Sequence, residues 1–160
     1  MSKNLVAYFS ASGSAAKLAK ALASAAEAEL YEIRPAVPYE RRDLNWMDKK
    51  ARSTVEMQDK NCRPALADHD APVADADVIF VGFPVWWYRE PSIIDSFLEA
   101  YDFGGKTVVP FLTSGGSDLG EGQGRIEALA KGATVLRGRR FSARASESEL
   151  KAWIAGLSID

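Results

Sequence analysis

The run Leu5-Val6-Ala7-Tyr8-Phe9 has no polar residue and gives way at once to Ser10-Ala11-Ser12-Gly13-Ser14 and a segment rich in alanine. A short β-prone run without alternation fits a strand covered on both faces, so this strand is expected at the centre of a sheet. The spacing then becomes helical. Leu18 and Leu22 lie four apart, Ala15, Ala19, Ala23 and Ala26 share their side, and Lys17 and Lys20 project elsewhere, which predicts a helix from Ser14 to about Ala28. Leu30-Tyr31-Glu32-Ile33 alternates like a strand with one drier face and is stopped by Pro35 and Pro38. The opening unit is β-α-β.

Between Pro38 and Pro72 the chain turns polar, with a helix expected from Asp43 to about Met57 and a loose tail through Cys62, Pro64 and His69. The rhythm then resumes. Asp77 to Phe83 reads as a buried strand, and Ser92 to Tyr101 as a helix with Ile93, Ile94, Phe97 and Leu98 on one side. Thr107 to Leu112 is a third buried run, although Pro110 donates nothing to a ladder and usually marks an edge or a bulge. Gly120 to Lys131, Ala133 to Leu136 and Glu147 to Leu157 complete the pattern as helix, strand and helix. Five strands alternating with helices, joined by right-handed crossovers, predict an α/β fold: an open, doubly wound parallel sheet with helices on both faces, in one domain over 1–160.

Composition removes several function classes. Lys plus Arg number 20 and Asp plus Glu 22, a formal net charge of −2, so attraction to nucleic acid is not expected. Cys62 is the only cysteine, which excludes an internal disulfide, a zinc ribbon and a CxxC pair and fits a reducing cytoplasm. The longest apolar stretch, Val78 to Tyr88, is broken by Gly82 and Pro84, so no membrane insertion is expected. The single histidine, His69, stands between Asp68 and Asp70 without metal-ligand spacing, and no G-x-S-x-G elbow is present. No metal site and no catalytic side chain is singled out. Arg137, Arg139 and Arg140 read as a solvated basic patch.

The chemistry is expected at strand ends, where open α/β sheets bind ligands. Ser10-Ala11-Ser12-Gly13-Ser14 offers hydroxyls, N–H groups and the positive end of a helix dipole, which suit a phosphate. It lacks the Gly-Lys-Ser/Thr ending of a P-loop and is not G-x-G-x-x-G; taken alone, it reads equally well as a serine-rich helix cap. Pro84-Val85-Trp86-Trp87-Tyr88-Arg89-Glu90-Pro91 places three consecutive aromatics that cannot all face one core, so at least one is available to stack on a flat ring system. Thr113-Ser114-Gly115-Gly116-Ser117-Asp118 has paired glycines that let a ligand approach backbone donors, or else form an ordinary flexible turn.

A phosphate cup, an aromatic wall and a glycine-lined polar edge on successive strand ends describe a flavin mononucleotide (FMN) site. With these loops the chain resembles flavodoxin. It is most similar to the short-chain group that carries Pro-x-Trp-Trp, here Pro84 to Trp87, and Thr-Ser-Gly-Gly, here Thr113 to Gly116. The resemblance spans nearly the whole chain, including Asp43-Leu44-Asn45-Trp46 and Arg63-Pro64-Ala65, and implies strand order 2-1-3-4-5. It implies that Ser10, Ser12, Gly13 and Ser14 hold the phosphate, Pro84, Val85, Trp86, Trp87 and Tyr88 the ring, and Thr113, Ser114, Gly115 and Gly116 the pyrimidine edge. Ala15 stands where the family's phosphate loop ends in threonine, and the third loop lacks the aromatic that closes over the flavin in electron carriers.

An open flavin face favours an NAD(P)H-dependent reductase of a quinone or other small acceptor. The alternatives are a one-electron carrier serving a redox partner protein and a flavin-free binding module on the same fold. Backbone donors near Gly115 and Gly116 favour negative charge on a reduced flavin, whereas Glu90 and Asp118 oppose it if they lie close.

Overall fold

A computed structural model of the chain describes residues 3–11, 13–45, 47–113 and 119–157. The strands are β1 (Asn4–Tyr8), β2 (Glu29–Glu32), β3 (Val78–Pro84), β4 (Thr107–Thr113), β5 (Thr134–Val135) and β6 (Arg139–Arg140). All pair in parallel in the order β2-β1-β3-β4-β5, with β6 also on β4, which is the expected five-position sheet. The helices are α1 (Ser14–Ala26), α2 (Arg52–Gln58), α3 (Ser92–Ala100), α4 (Gly122–Leu129) and α5 (Glu147–Gly156).

Strand alternation divides the core into two layers. Leu5, Ala7, Ile79, Val81, Phe83, Val108 and Leu112 face α3 and α4 through Ile93, Ile94, Phe97, Leu98 and Ile126. Val6, Tyr8, Val78, Phe80, Val109 and Phe111 face α1 and α5 through Leu18, Leu22, Leu150 and Trp153. Both sheet faces are thus covered, which is why these strands read as unbroken apolar runs. Among the described residues no helix is long and apolar enough to cross a membrane.

Two expectations are corrected. The helix expected from Asp43 to Met57 is instead a 3₁₀ turn over Arg41–Leu44 followed, after a bend, by α2. Local side chains take the backbone donors a helix would need. Asn45 accepts from the Met47 N–H (3.1 Å) and Asp48 from the Lys50 N–H (2.9 Å), while Asp43 accepts from the Glu40 N–H (2.8 Å) and so caps the 3₁₀ turn. The second correction concerns the last strand, which extends beyond Leu136 in two pieces; Pro110 lies inside β4 opposite the break, where the register slips by one residue, from Val108 against Val135 to Phe111 against Arg139. The Leu136 N–H donates to the Val108 carbonyl (2.9 Å) and the Phe141 N–H to the Leu112 carbonyl (2.8 Å), so the even-numbered residues of this stretch of β4 address the edge strand. Pro110 has no N–H to give there, and the edge strand breaks opposite it. A Cβ on Gly138, in that break, would stand 3.1 Å from the Pro110 Cβ.

Candidate functional site

Because every strand is parallel, the three suspect loops leave one edge of the sheet. β1 and β3 are neighbours whose following helices cover opposite faces, which makes the gap between them the topological switch point.

The first loop is built around the start of α1. Gly13 has φ 98° and donates its N–H to Ser10 Oγ at 3.0 Å. No side chain caps the helix, and the first intrahelical bond runs from the Lys17 N–H to the Gly13 carbonyl (3.1 Å). The N–H groups of Ser14, Ala15 and Ala16 therefore lack an acceptor among the described residues. A Cβ on Gly13 would meet nothing within 4 Å, so there is space beside these donors. Ala15 points inward at 2% exposure and can offer a ligand only its main chain. Ser12 lies outside the described residues.

The second loop is a tight reversal. The Trp86 N–H donates to the Arg89 carbonyl and the Arg89 N–H to the Trp86 carbonyl, both at 3.1 Å. Trp87 and Tyr88 sit between them with φ of 47° and 64°. Two successive left-handed residues are the signature of a type I′ turn, which usually takes Asn-Gly. Bulky aromatics there carry strain that a tether must offset. The tether is Arg89, 2% exposed, which donates to the carbonyls of Glu90 and Met57 (3.2 Å each).

The aromatics divide as their crowding demands. Trp86 is half-buried, meeting Phe9 at 5.7 Å and Tyr39 at 5.6 Å edge to face. Trp87 and Tyr88 are 41% and 67% exposed. Tyr39 donates to Glu56 and lies under the Arg52 guanidinium at 3.9 Å; burial and the Glu56 carboxylate push its phenol up.

The third loop begins where the Val85 N–H donates to the Thr113 carbonyl at 2.9 Å, tying the ends of β3 and β4 together. Ser114, Gly115, Gly116 and Asp118 lie outside the described residues. The chain re-enters at Leu119 and Gly120, where a Cβ on Gly120 would stand 2.7 Å from the Tyr88 carbonyl oxygen. The second and third loops therefore approach each other closely, through the Tyr88 backbone and Gly120.

A cleft of about 740 Å³ joins these pieces, lined by Ser14, Pro84, Val85, Trp86 and Thr113. The structure thus brings together residues from all three loops, while Ser10 and Ala11 line a second hollow of about 370 Å³ bounded by Phe9 and Tyr39. Sequence reasoning missed the far wall of the cleft, formed by Arg140, Phe141, Ser142, Ala143 and Glu149. The available signal was topological: whatever follows the fifth strand must emerge beside the loop after β4. Arg139, read as solvated, is exposed and pairs with Glu149 at 3.7 Å.

Beneath the aromatic turn, Glu90 and Asp95 are fully buried, and Arg125 bonds both carboxyls. Burial, then Asp95, pushes the Glu90 carboxyl up to about 8.

Comparison with known proteins gives the geometry a family. A family model described as flavodoxin matches residues 3–157. A candidate flavoprotein from Bacteroides eggerthii is 41% identical over 100% of both chains, with a TM-score of 0.94. Another from Bacteroides uniformis is 44% identical over 96% of this chain and 98% of that one, with a TM-score of 0.90. A flavoprotein from Lactobacillus acidophilus, solved in complex with FMN, is 23% identical over 96% of this chain and 99% of that one, with a TM-score of 0.71. None of the curated proteins compared matches the chain.

Proposed function

The chain belongs to the flavodoxin family, and from that footing we propose that it binds FMN and works as a cytoplasmic NAD(P)H-dependent reductase of a quinone or similar small acceptor. One observation carries the FMN reading. A helix start whose first three N–H donors have no acceptor among the described residues, beside a left-handed Gly13 and free space, opens into the same cleft as the second and third loops. A terminal phosphate supplies the acceptors those donors lack and the negative charge the helix dipole favours. In this reading Ser10, Ser12, Gly13 and Ser14, with the Ala15 main chain, hold the phosphate. Pro84 to Tyr88 border the ring, and Thr113 to Gly116 meet its pyrimidine edge. The loop pattern also fits the short-chain group, and the chain acts as one domain.

Bound FMN would supply two-electron chemistry, in which the hydride of NAD(P)H and one proton from solvent together account for the two electrons and two protons that reduce a quinone to a quinol. The protein's part is to fix the phosphate, orient the ring and leave one side of the cleft accessible. A net charge of −2 steers a protein partner weakly, which favours a small acceptor over carriage to a redox partner protein.

Calorimetric titration with FMN, FAD and riboflavin tests the cofactor. FMN should bind at least about tenfold tighter than riboflavin, the equivalent of one or two charge-assisted hydrogen bonds. Gly13→Asp should remove that advantage through charge repulsion and leave riboflavin binding in place. Equal affinity for riboflavin and FMN in the wild type would refute the phosphate cup. Anaerobic mixing of the loaded protein with NADH or NADPH tests the reaction. Rapid loss of flavin absorbance, restored by quinone over many turnovers, is expected; no reduction by either nicotinamide would point to carriage between proteins.

A further inference from the structure

Cofactor binding leaves the buried charges behind the aromatic turn unexplained. Arg125 donates from Nε to Glu90 Oε2 at 3.0 Å and from a terminal nitrogen to Asp95 Oδ2 at 2.5 Å. Those are neighbouring nitrogens of one guanidinium, so the two carboxyls are held side by side. The other cations are engaged elsewhere. Arg89 directs its hydrogen bonds to the Glu90 and Met57 carbonyls and to Ser92 Oγ, and stands 3.8 Å from Glu90 and 3.5 Å from Asp95. Arg63 bonds Glu99 at 2.7 Å and reaches Asp95 only at 3.7 Å. Lys60 pairs with Glu121 at 2.8 Å. Among the described residues these are the charged groups brought to the pair by its own loop, by α3 and α4, and by the chain after α2. Glu90 Oε1 and Asp95 Oδ1 are buried with no hydrogen-bond partner among the described residues.

We propose that Glu90 and Asp95 hold one proton between them at neutral pH and, through Arg89, position the Trp87–Tyr88 turn, releasing it when that proton is lost in mildly alkaline solution. Only the Arg125 guanidinium makes hydrogen bonds to the pair; Arg89 and Arg63 stand 3.5–3.8 Å away with their hydrogen bonds directed elsewhere. Two ionised carboxylates on the same fork would repel in a buried site. The direction of the Glu90 shift agrees, with burial as its first cause and Asp95 next. With the proton in place, Arg89 is free to hold the main chain. Loss of the proton adds a second charge whose nearest unbonded cation is Arg89. The guanidinium is drawn off Met57 and Ser92, and the two left-handed aromatics lose the tether that offsets their strain.

The link to cofactor binding rests on the FMN reading; the shared proton does not. The first measurement uses the unloaded wild-type protein with glutamate ¹³C-labelled at the side-chain carboxyl. One glutamate carbon should titrate near pH 8, and the Trp87 indole N–H resonance should move in step with it. That carbon should be missing from the spectrum of Glu90→Gln, in which the Trp87 shift should no longer depend on pH. The second measurement is FMN affinity from pH 7 to 9, expected to fall about tenfold in the wild type and to stay level in Glu90→Gln. Every glutamate ionised down to pH 5 would overturn the proposal, as would a Trp87 signal that ignores the Glu90 titration. If no FMN binds at any pH, the cofactor reading fails while the carbon and indole titrations still decide this one.

Discussion

Gly82 lies in β3 directly opposite Phe111 of β4, and the ring occupies the space a side chain would need. A Cβ on Gly82 would stand 2.1 Å from Phe111 Cζ, 2.3 Å from Cε2 and 2.7 Å from Cε1. Carbon atoms in contact prefer about 3.5–4.0 Å, so Gly82→Ala forces the ring to move by roughly 1.5 Å. Phe111 is fully buried among the residues that pack on α1 and α5, and the displacement must be absorbed by neighbours. Overpacking of this kind costs about 1–3 kcal/mol, against which the lower chain entropy of alanine returns about 0.5–1 kcal/mol. The net expectation is a loss of about 1–2 kcal/mol, or roughly 3–8 °C in Tm for a chain of this length. Urea unfolding of the unloaded protein at unchanged m-value reads it. Phe111→Leu removes the ring tip and should rescue Gly82→Ala, giving a coupling of about 1–2 kcal/mol in a double-mutant cycle. A Gly82→Ala protein as stable as the wild type, or a double mutant that is merely additive, would refute the reasoning.

The neighbouring tryptophans should separate by role: Trp86→Leu costs about 2–4 kcal/mol because it removes an aromatic packed on Phe9 and Tyr39. Trp87→Leu, at an exposed turn tip, should leave urea stability within about 0.5 kcal/mol and weaken quenching of FMN fluorescence; unchanged quenching in that variant would move the ring wall to another segment. The stability of the unloaded protein should fall as pH rises from about 5 to 8, because over that window native Glu90 keeps a proton that the unfolded chain has lost. Glu90→Gln should flatten that part of the urea-midpoint profile, and a slope that persists in the variant would assign it to another group.

The sheet was legible because its strands are covered on both faces: Leu5–Phe9 and Val78–Phe83 contain no residue that water must reach, and each is followed by a helical apolar spacing. The excursion was misread for a local reason. The Asn45 and Asp48 side chains bond the backbone N–H groups two residues beyond them, and Asp43 reaches back to the Glu40 N–H to start a 3₁₀ turn, a competition that periodicity does not register. The division of the aromatics was anticipated in kind, since three in succession cannot share one core. Which of them faces out depends on the left-handed turn at Trp87 and Tyr88, and that conformation has no Asn-Gly signature to announce it.

Pro110 and the Glu90–Asp95 pair explain why the remainder lay beyond reach. Proline in a strand was recognised as a missing donor, but its consequence falls on another segment: the break in the edge strand opposite it, and with that break the placement of Arg140 to Ala143 along the cleft. Glu90 entered the sequence reading only as a charge in the second loop and Asp95 not at all, because nothing in their spacing says that one guanidinium, from Arg125 in a later helix, will bind both. In each case the property belongs to a pair of residues 28 to 35 positions apart, Pro110 with Gly138 and Glu90 with Arg125, brought together only when the parallel sheet closes. A parallel sheet joins every strand to its neighbour through a long crossover, so the contacts that shape its binding edge are those that local patterns describe least.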